Sequence, residues 1–261
     1  VREKLSDIDS AEMQFAHRIL DPAAGKIAPS NTCALAIMTK APRAGQVKTR
    51  LVPPLTPEEA ADLNAVFLRD LSTSIIRACE MSPAHPVAVY TPAGSEEAYR
   101  NILPPQFSLL RQRGESFGER LIFAAEDLFA VGFASVCLIN SDSPTVPGQN
   151  FAEAAIELAE PADRIVLGPA DDGGYYLIGL KNMRRRLFEE IDWSTERVFG
   201  QTKDRATELG IRVHELTGGL DVDDRAALLR LRDELMRNKS QPDVAPNTRK
   251  FLAELTAKRR L

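Results

Sequence analysis

The chain has 261 residues, 44% of them apolar and 27% charged, which suits one large domain with a substantial core or two small ones. A formal net charge of −4 argues against a general binder of nucleic acid or membrane surfaces. No apolar run approaches the roughly 18 residues a membrane helix needs, and residues 1–10 are charged with no signal-peptide core. Cys33, Cys79 and Cys137 form no CxxC pair, so free thiols and a reducing, cytoplasmic setting are expected.

In chain order, residues 1–32 read as an N-terminal extension, with a short amphipathic segment around Ala11–Leu20 and a break at Asp21–Gly25. The body spans 33–238 and opens with the apolar run Cys33–Met38, predicted as a buried strand. Thr56-Pro-Glu-Glu59 predicts a helix start with a capping box. That helix should reach about Cys79, with Ala60, Leu63, Phe67, Leu71 and Ile75 on one face. Predicted strands follow at 85–91, 107–111, 134–139, 164–167, 175–180 and 211–216. Predicted helices lie at 94–102, 117–130, 147–159, 194–209 and 223–236. This alternation implies an α/β sandwich with a mostly parallel central sheet. Residues 239–261 read as a C-terminal tail, loosely attached, with a short helix.

Four segments carry chemistry. The loop Lys40–Arg50 holds Lys40, Arg43, Lys48 and Arg50 around Gly45, at the C-terminal end of a predicted strand. Ligands of open α/β sheets bind beyond such ends, so the loop reads as a cradle for nucleotide phosphates or as a solvated basic loop. Asp142 sits where the strand 134–139 ends, before Pro144. There it suits a hard divalent cation shared with phosphates, or a turn. Asp221-Val-Asp223 alternates, so both carboxylates can face one side of an extended segment; capping of the next helix is the competing role. Asp171-Asp172-Gly173-Gly174-Tyr175 combines carboxylates, flexible backbone and an aromatic ring, which suits a sugar or acceptor hydroxyl. Arg113 lies in a loop-to-helix passage where a phosphate contact and a surface ion pair are both open. Trp193 before Ser194-Thr195 reads as an aromatic packing anchor. His17, His85 and His214 pair with no serine or cysteine nucleophile, so a histidine triad has no support.

Taken together, Lys40–Leu51, Gln112–Arg120, Ser141–Pro144, Gly168–Leu180, Trp193–Thr195 and Asp221–Asp223 resemble a bacterial family. Its members are nucleotide-diphospho-sugar-transferase-like proteins of GT-A fold, of the kind named arsenosugar-biosynthesis-type glycosyltransferases. The resemblance implies a single GT-A-like (Rossmann-like) domain. More distantly, sugar-phosphate nucleotidyltransferases are similar: Lys40, Lys48 and Arg50 match their basic first loop, Asp142 their first metal ligand and Asp223 their second. Two departures stand out: Ser141-Asp-Ser143 lacks the two-aspartate DxD of typical GT-A glycosyltransferases and has Ser141 where a glycine might precede Asp142, and the first loop is not a strict GxGTR.

The resulting expectation is a metal-dependent transferase. Asp142 and Asp223 would hold Mg²⁺ or Mn²⁺; Lys40, Gly45, Lys48, Arg50 and Arg113 would hold the nucleotide. Asp142, Lys48, Arg50 and Asp172 would carry catalysis, and Asp171, Asp172, Gly173, Gly174 and Tyr175 would receive the sugar or acceptor. Glycosyl transfer from a nucleotide-sugar to a small acceptor stands first. Nucleotidyl transfer to a phosphorylated or phosphonate molecule is the alternative, and a non-catalytic nucleotide-binding module is the third. No nucleic-acid or membrane partner is expected, and the sequence fixes no oligomeric state.

Overall fold

The computed structural model describes residues 16–237 and 241–258. Its eight strands are β1 (Arg18–Leu20), β2 (Cys33–Lys40), β3 (Ala84–Thr91), β4 (Ser108–Arg111), β5 (Ser135–Ile139), β6 (Arg164–Pro169), β7 (Tyr175–Leu180) and β8 (Arg212–Glu215). They form one sheet in the order β1-β4-β3-β2-β5-β7-β6-β8. Only β7 runs antiparallel to its neighbours, pairing β5 on one side and β6 on the other. The expected α/β sandwich with a mostly parallel central sheet is therefore what the chain forms.

The helices are α1 (Pro57–Met81), α2 (Phe117–Val131), α3 (Gly148–Ala159), α4 (Val198–Glu208), α5 (Arg225–Arg237) and α6 (Pro246–Ala257). Strand β2 shows why both sheet faces are covered. Cys33, Leu35 and Ile37 pack with Leu68 and Leu71 of α1 and Phe151 of α3, while Ala34 and Ala36 pack with Leu121 and Leu128 of α2. Alternate side chains of a strand point to opposite faces, so a continuous apolar run serves two layers. A third cluster joins Leu63 and Phe67 of α1 to Leu228 and Leu231 of α5 and Leu252 of α6.

The capping box expected at Thr56 is present, with Thr56 and Glu59 exchanging hydrogen bonds of 3.1 and 2.8 Å. A second box, Ser116 with Glu119, starts α2. The C-terminal segment is anchored rather than loose. Buried Asp70 of α1 accepts from Asn247 N, Asn247 Nδ2 and Thr248 N at 3.0, 2.7 and 2.7 Å, closing the start of α6. At the other end of the chain, residues 18–20 pair in parallel with β4 as an edge strand. The rest of the amphipathic segment expected at 11–20 lies mostly outside the described residues.

Strand polarity gathers the site. The C-terminal ends of β2, β5, β6 and β8 lie at one edge of the sheet. Because β7 is antiparallel, its N-terminal end and the turn before it lie there too, with Ile139 opposite Leu177. The segments 40–50, 140–142, 170–175 and 219–224 thus converge.

Candidate active site

Asp142, Asp221 and Asp223 place one carboxylate oxygen each within 4.8 Å of one another. The backbone explains the arrangement. Val222 is fully buried in the third core cluster, so its neighbours Asp221 and Asp223 turn their side chains the other way. Val222 N also donates to the carbonyl of Asp142 at 3.1 Å, which locks the two acidic loops together. Asp221 N donates to Asp171 Oδ1 at 3.0 Å, and Arg230 pairs with Asp171 Oδ2 at 2.6 Å. Asp171 is therefore a brace for the acidic loop rather than a free carboxylate.

The basic loop enters this cluster through Lys48. Its ammonium lies 2.8 Å from Asp142 Oδ1, 3.6 Å from Asp223 Oδ1 and 2.6 Å from the Val222 carbonyl, with only 4% of its side chain exposed. Lys48 adopts a left-handed backbone conformation, φ 49°, which costs an L-residue about 1–2 kcal/mol. Arg50 stays exposed, 3.6 Å from Asp223 Oδ2.

Crowding of the carboxylates changes their acidity. Burial pushes Asp221 up to about 8, reinforced by the charges of Asp142 and Asp223 and opposed by Lys48. Asp223 is raised as well, by desolvation first and by Asp142 next. Asp221 Oδ1 is buried and has no hydrogen-bond partner. Three convergent carboxylates with an orphaned oxygen fit a hard cation such as Mg²⁺ or Mn²⁺.

Two adjoining clefts share this cluster. One, of about 250 Å³, is lined by Lys40, Gln46, Lys48, Arg50 and Asn64 together with Ser141, Asp142 and Asp223. The other, of about 400 Å³, is lined by Asp172, Gly174, Tyr175, Phe117, Trp193 and Glu196, and again by Arg50, Asp142, Asp221 and Asp223. The first is rich in cations; the second holds five carboxylates and one cation. Gly173 joins the walls of the second. At φ 88° it takes a conformation other residues rarely adopt, and a Cβ there would stand 2.3 Å from the Glu196 carbonyl oxygen.

Most of the expected site residues therefore meet. Lys40, Lys48, Arg50, Asp142 and Asp223 line one cleft; Asp172, Gly174 and Tyr175 line the other. Gly45 forms the turn of the basic loop at φ 73° and lines neither. Arg113 also lines neither cleft: it makes a bidentate pair with Asp127 at 2.8 Å and lies 4.0 Å from the Phe123 ring. Asp221 was absent from the expected metal ligands, although its alternation with Asp223 carried the signal. Phe117, Trp193 and Glu196 also enter as lining groups.

The family described as "Uncharacterized protein conserved in bacteria (DUF2064)" matches residues 75–195. Among solved structures, a candidate nucleotide-diphospho-sugar transferase from Desulfovibrio desulfuricans G20 is 29% identical, with TM-score 0.75 over 88% of this chain and 96% of that one. The chain is similar in fold to that protein over nearly all of its length. A nucleotidyl transferase from Methanothermobacter shares the fold at TM-score 0.52 and 14% identity, over 80% of this chain and 100% of that one. The 4-diphosphocytidyl-2C-methyl-D-erythritol synthase of Anaerococcus prevotii does so at 0.51 and 11%, over 79% and 96%. No curated protein sequence matches. Among the described residues no helix is long and apolar enough to cross a membrane.

Proposed function

We propose that this chain is a metal-dependent glycosyltransferase that moves a sugar from a nucleotide-diphospho-sugar to a small acceptor. The observation that carries this reading is the division of the cleft. A cationic half and an acidic half meet at Asp142 and Asp223. A diphosphate suits the first, where Lys40 and Arg50 offer cations; each pair at ~4 Å and an effective dielectric of ~20 contributes about 4 kcal/mol before desolvation. An uncharged, hydroxyl-bearing group suits the second, because beyond the metal cluster a phosphate would meet Asp172 and Glu196 there.

Asp142, Asp221 and Asp223 would hold Mg²⁺ or Mn²⁺, which neutralises charge on the phosphate oxygens when bound. Arg50, exposed at the boundary between the halves, would follow the leaving diphosphate. The acceptor oxygen forms a bond to the anomeric carbon. The bond from that carbon to the diphosphate oxygen breaks, and the electron pair leaves with the nucleoside diphosphate. Asp172, on the acidic side, would take the acceptor's proton. Its Oδ1 is oriented by a hydrogen bond of 2.9 Å from Gly174 N.

One observation favours a second reading. Lys40, Lys48 and Arg50 within one cleft would also suit a triphosphate, as nucleotidyl transfer with pyrophosphate release requires. The test is incubation of the purified protein with Mg²⁺ or Mn²⁺ and panels of nucleotide-sugars and nucleoside triphosphates. Metal-dependent release of nucleoside diphosphate supports glycosyl transfer. Pyrophosphate formed only with a phosphorylated acceptor replaces it with nucleotidyl transfer. Metal-dependent binding with no product of either kind favours the binding module.

A further inference from the structure

Trp193 and Phe117 are partners at the rim of the acidic cleft, with ring centroids 5.1 Å apart and planes inclined at 57°. Both are held from behind. Phe117 is the first residue of α2, fixed by the Ser116–Glu119 capping box. The indole of Trp193 rests on Gly118, where a Cβ would stand 2.8 Å from Nε1. Yet Phe117 remains 54% exposed, unlike the core aromatics. The two rings thus offer an open aromatic corner to a polar cleft.

The chemistry opposite this corner defines what it takes. Asp172, Glu196, Asp221 and Asp223 stand around the same cavity. Asp172 and Glu196 are the two of these not assigned to the metal, and an ionised carboxylate only accepts hydrogen bonds, so the ligand must supply donors to both. A hydroxyl can always turn to donate, whereas a nucleobase edge fixes acceptors among its donors. The electron-rich faces of Phe117 and Trp193 attract the partly positive C–H groups of a saturated ring. We propose that Phe117 and Trp193 form the stacking wall for a neutral, hydroxyl-rich ring, a sugar or polyol, and determine specificity for it. This rests on the glycosyl-transfer reading and names the ring that the acidic half receives as a neutral, hydroxyl-rich one.

Trp193 is the chain's one tryptophan, so its emission reports on this wall directly. The full chain with Mg²⁺ is titrated with UDP-glucose and GDP-mannose, with UDP and GDP, with uridine and guanosine, and with glucose and myo-inositol. Emission should shift with sugar-bearing ligands and not with UDP, GDP or the nucleosides. Phe117→Ala should weaken the sugar-bearing ligand at least tenfold while leaving UDP or GDP affinity, read by calorimetry, unchanged. A shift confined to nucleotide-sugars assigns the ring to the donor; a shift with glucose or myo-inositol alone assigns it to a separate acceptor. A full shift with a nucleoside would overturn the inference in favour of base stacking, and no shift with any ligand would leave the wall as packing. If no nucleotide binds but a free polyol shifts emission in a Phe117-dependent way, the wall stands and the transferase reading falls.

Discussion

The ammonium of Lys48 lies 2.8 Å from Asp142 Oδ1, in the midst of the carboxylates that suit a metal ion. Residue 48 reaches across the cleft to bond the backbone of residue 222, so the basic loop and the last acidic loop hold each other. The basic loop therefore does two jobs: Lys48 neutralises the acidic cluster, and Lys40 and Arg50 face the cleft.

Removing that charge should be costly. Lys48→Met keeps the side chain's length, removes the near counter-charge of Asp142 and leaves Asp223 only the exposed Arg50. Breaking a buried pair typically costs 3–5 kcal/mol; with Asp142 27% exposed, about 2–3 kcal/mol is expected. Urea unfolding in EDTA should show that loss, and Mn²⁺ should restore part of it. Equal stability of the two proteins in EDTA would mean that Lys48 is not the cluster's counter-charge.

The raised pKa of Asp221 fixes a pH dependence. Its folded value, about 8, exceeds the ordinary 3.8, so the folded state favours the protonated carboxyl. The associated stability is complete below about pH 4 and is lost as pH rises to about 8. In EDTA, unfolding free energy should fall across that window, and Asp221→Asn should flatten the fall. Mn²⁺ affinity should move oppositely, rising up to about tenfold per pH unit below 8, because binding must displace the proton.

Asp70 secures the C-terminal helix. Asp70→Ala leaves Asn247 N and Thr248 N without their acceptor inside a buried contact between α1 and α6. A loss of about 3 kcal/mol is expected, since hydrogen bonds to a charged group contribute about 1.5–3 kcal/mol each. Hydrogen exchange should show α6 loosening first. Both clefts lie elsewhere, so any affinity for UDP should persist at temperatures where the variant stays folded.

Gly173→Ala tests the coupling between the two walls of the acidic cleft. The added Cβ meets the Glu196 carbonyl at 2.3 Å in a backbone conformation with φ 88°. Stability should fall by about 1–3 kcal/mol. Affinity for a nucleotide-sugar should fall more than affinity for its nucleoside diphosphate, because only the former reaches that cleft. Equal losses for both ligands would place the sugar elsewhere.

The parts of this site legible in the sequence are those set by local pattern. Asp142 follows a short, mostly apolar run that reads as a buried strand, and the cations of 40–50 follow another. The alternation in Asp221-Val-Asp223 likewise carried its geometry, once Val222 is seen to be the buried member. What pattern does not carry is pairing at a distance. Arg113 meets Asp127 fourteen residues on, and Lys48 meets Val222 174 residues on. A three-residue edge strand at 18–20 is too short to show a period, and its parallel pairing with β4 comes from the sheet. Trp193 read as packing because its exposed partner, Phe117, lies 76 positions away by number but 5.1 Å away in space.

The central claim is that the Asp142–Asp221–Asp223 cluster binds a divalent cation that in turn engages nucleotide phosphates. Calorimetric titration of UDP and GDP into the wild-type protein and Asp142→Asn, each with Mn²⁺ and with EDTA, tests it most directly. Binding to the wild type with Mn²⁺, lost both in EDTA and in the variant, is the predicted result. Binding that is indifferent to the metal and to Asp142 would contradict the account.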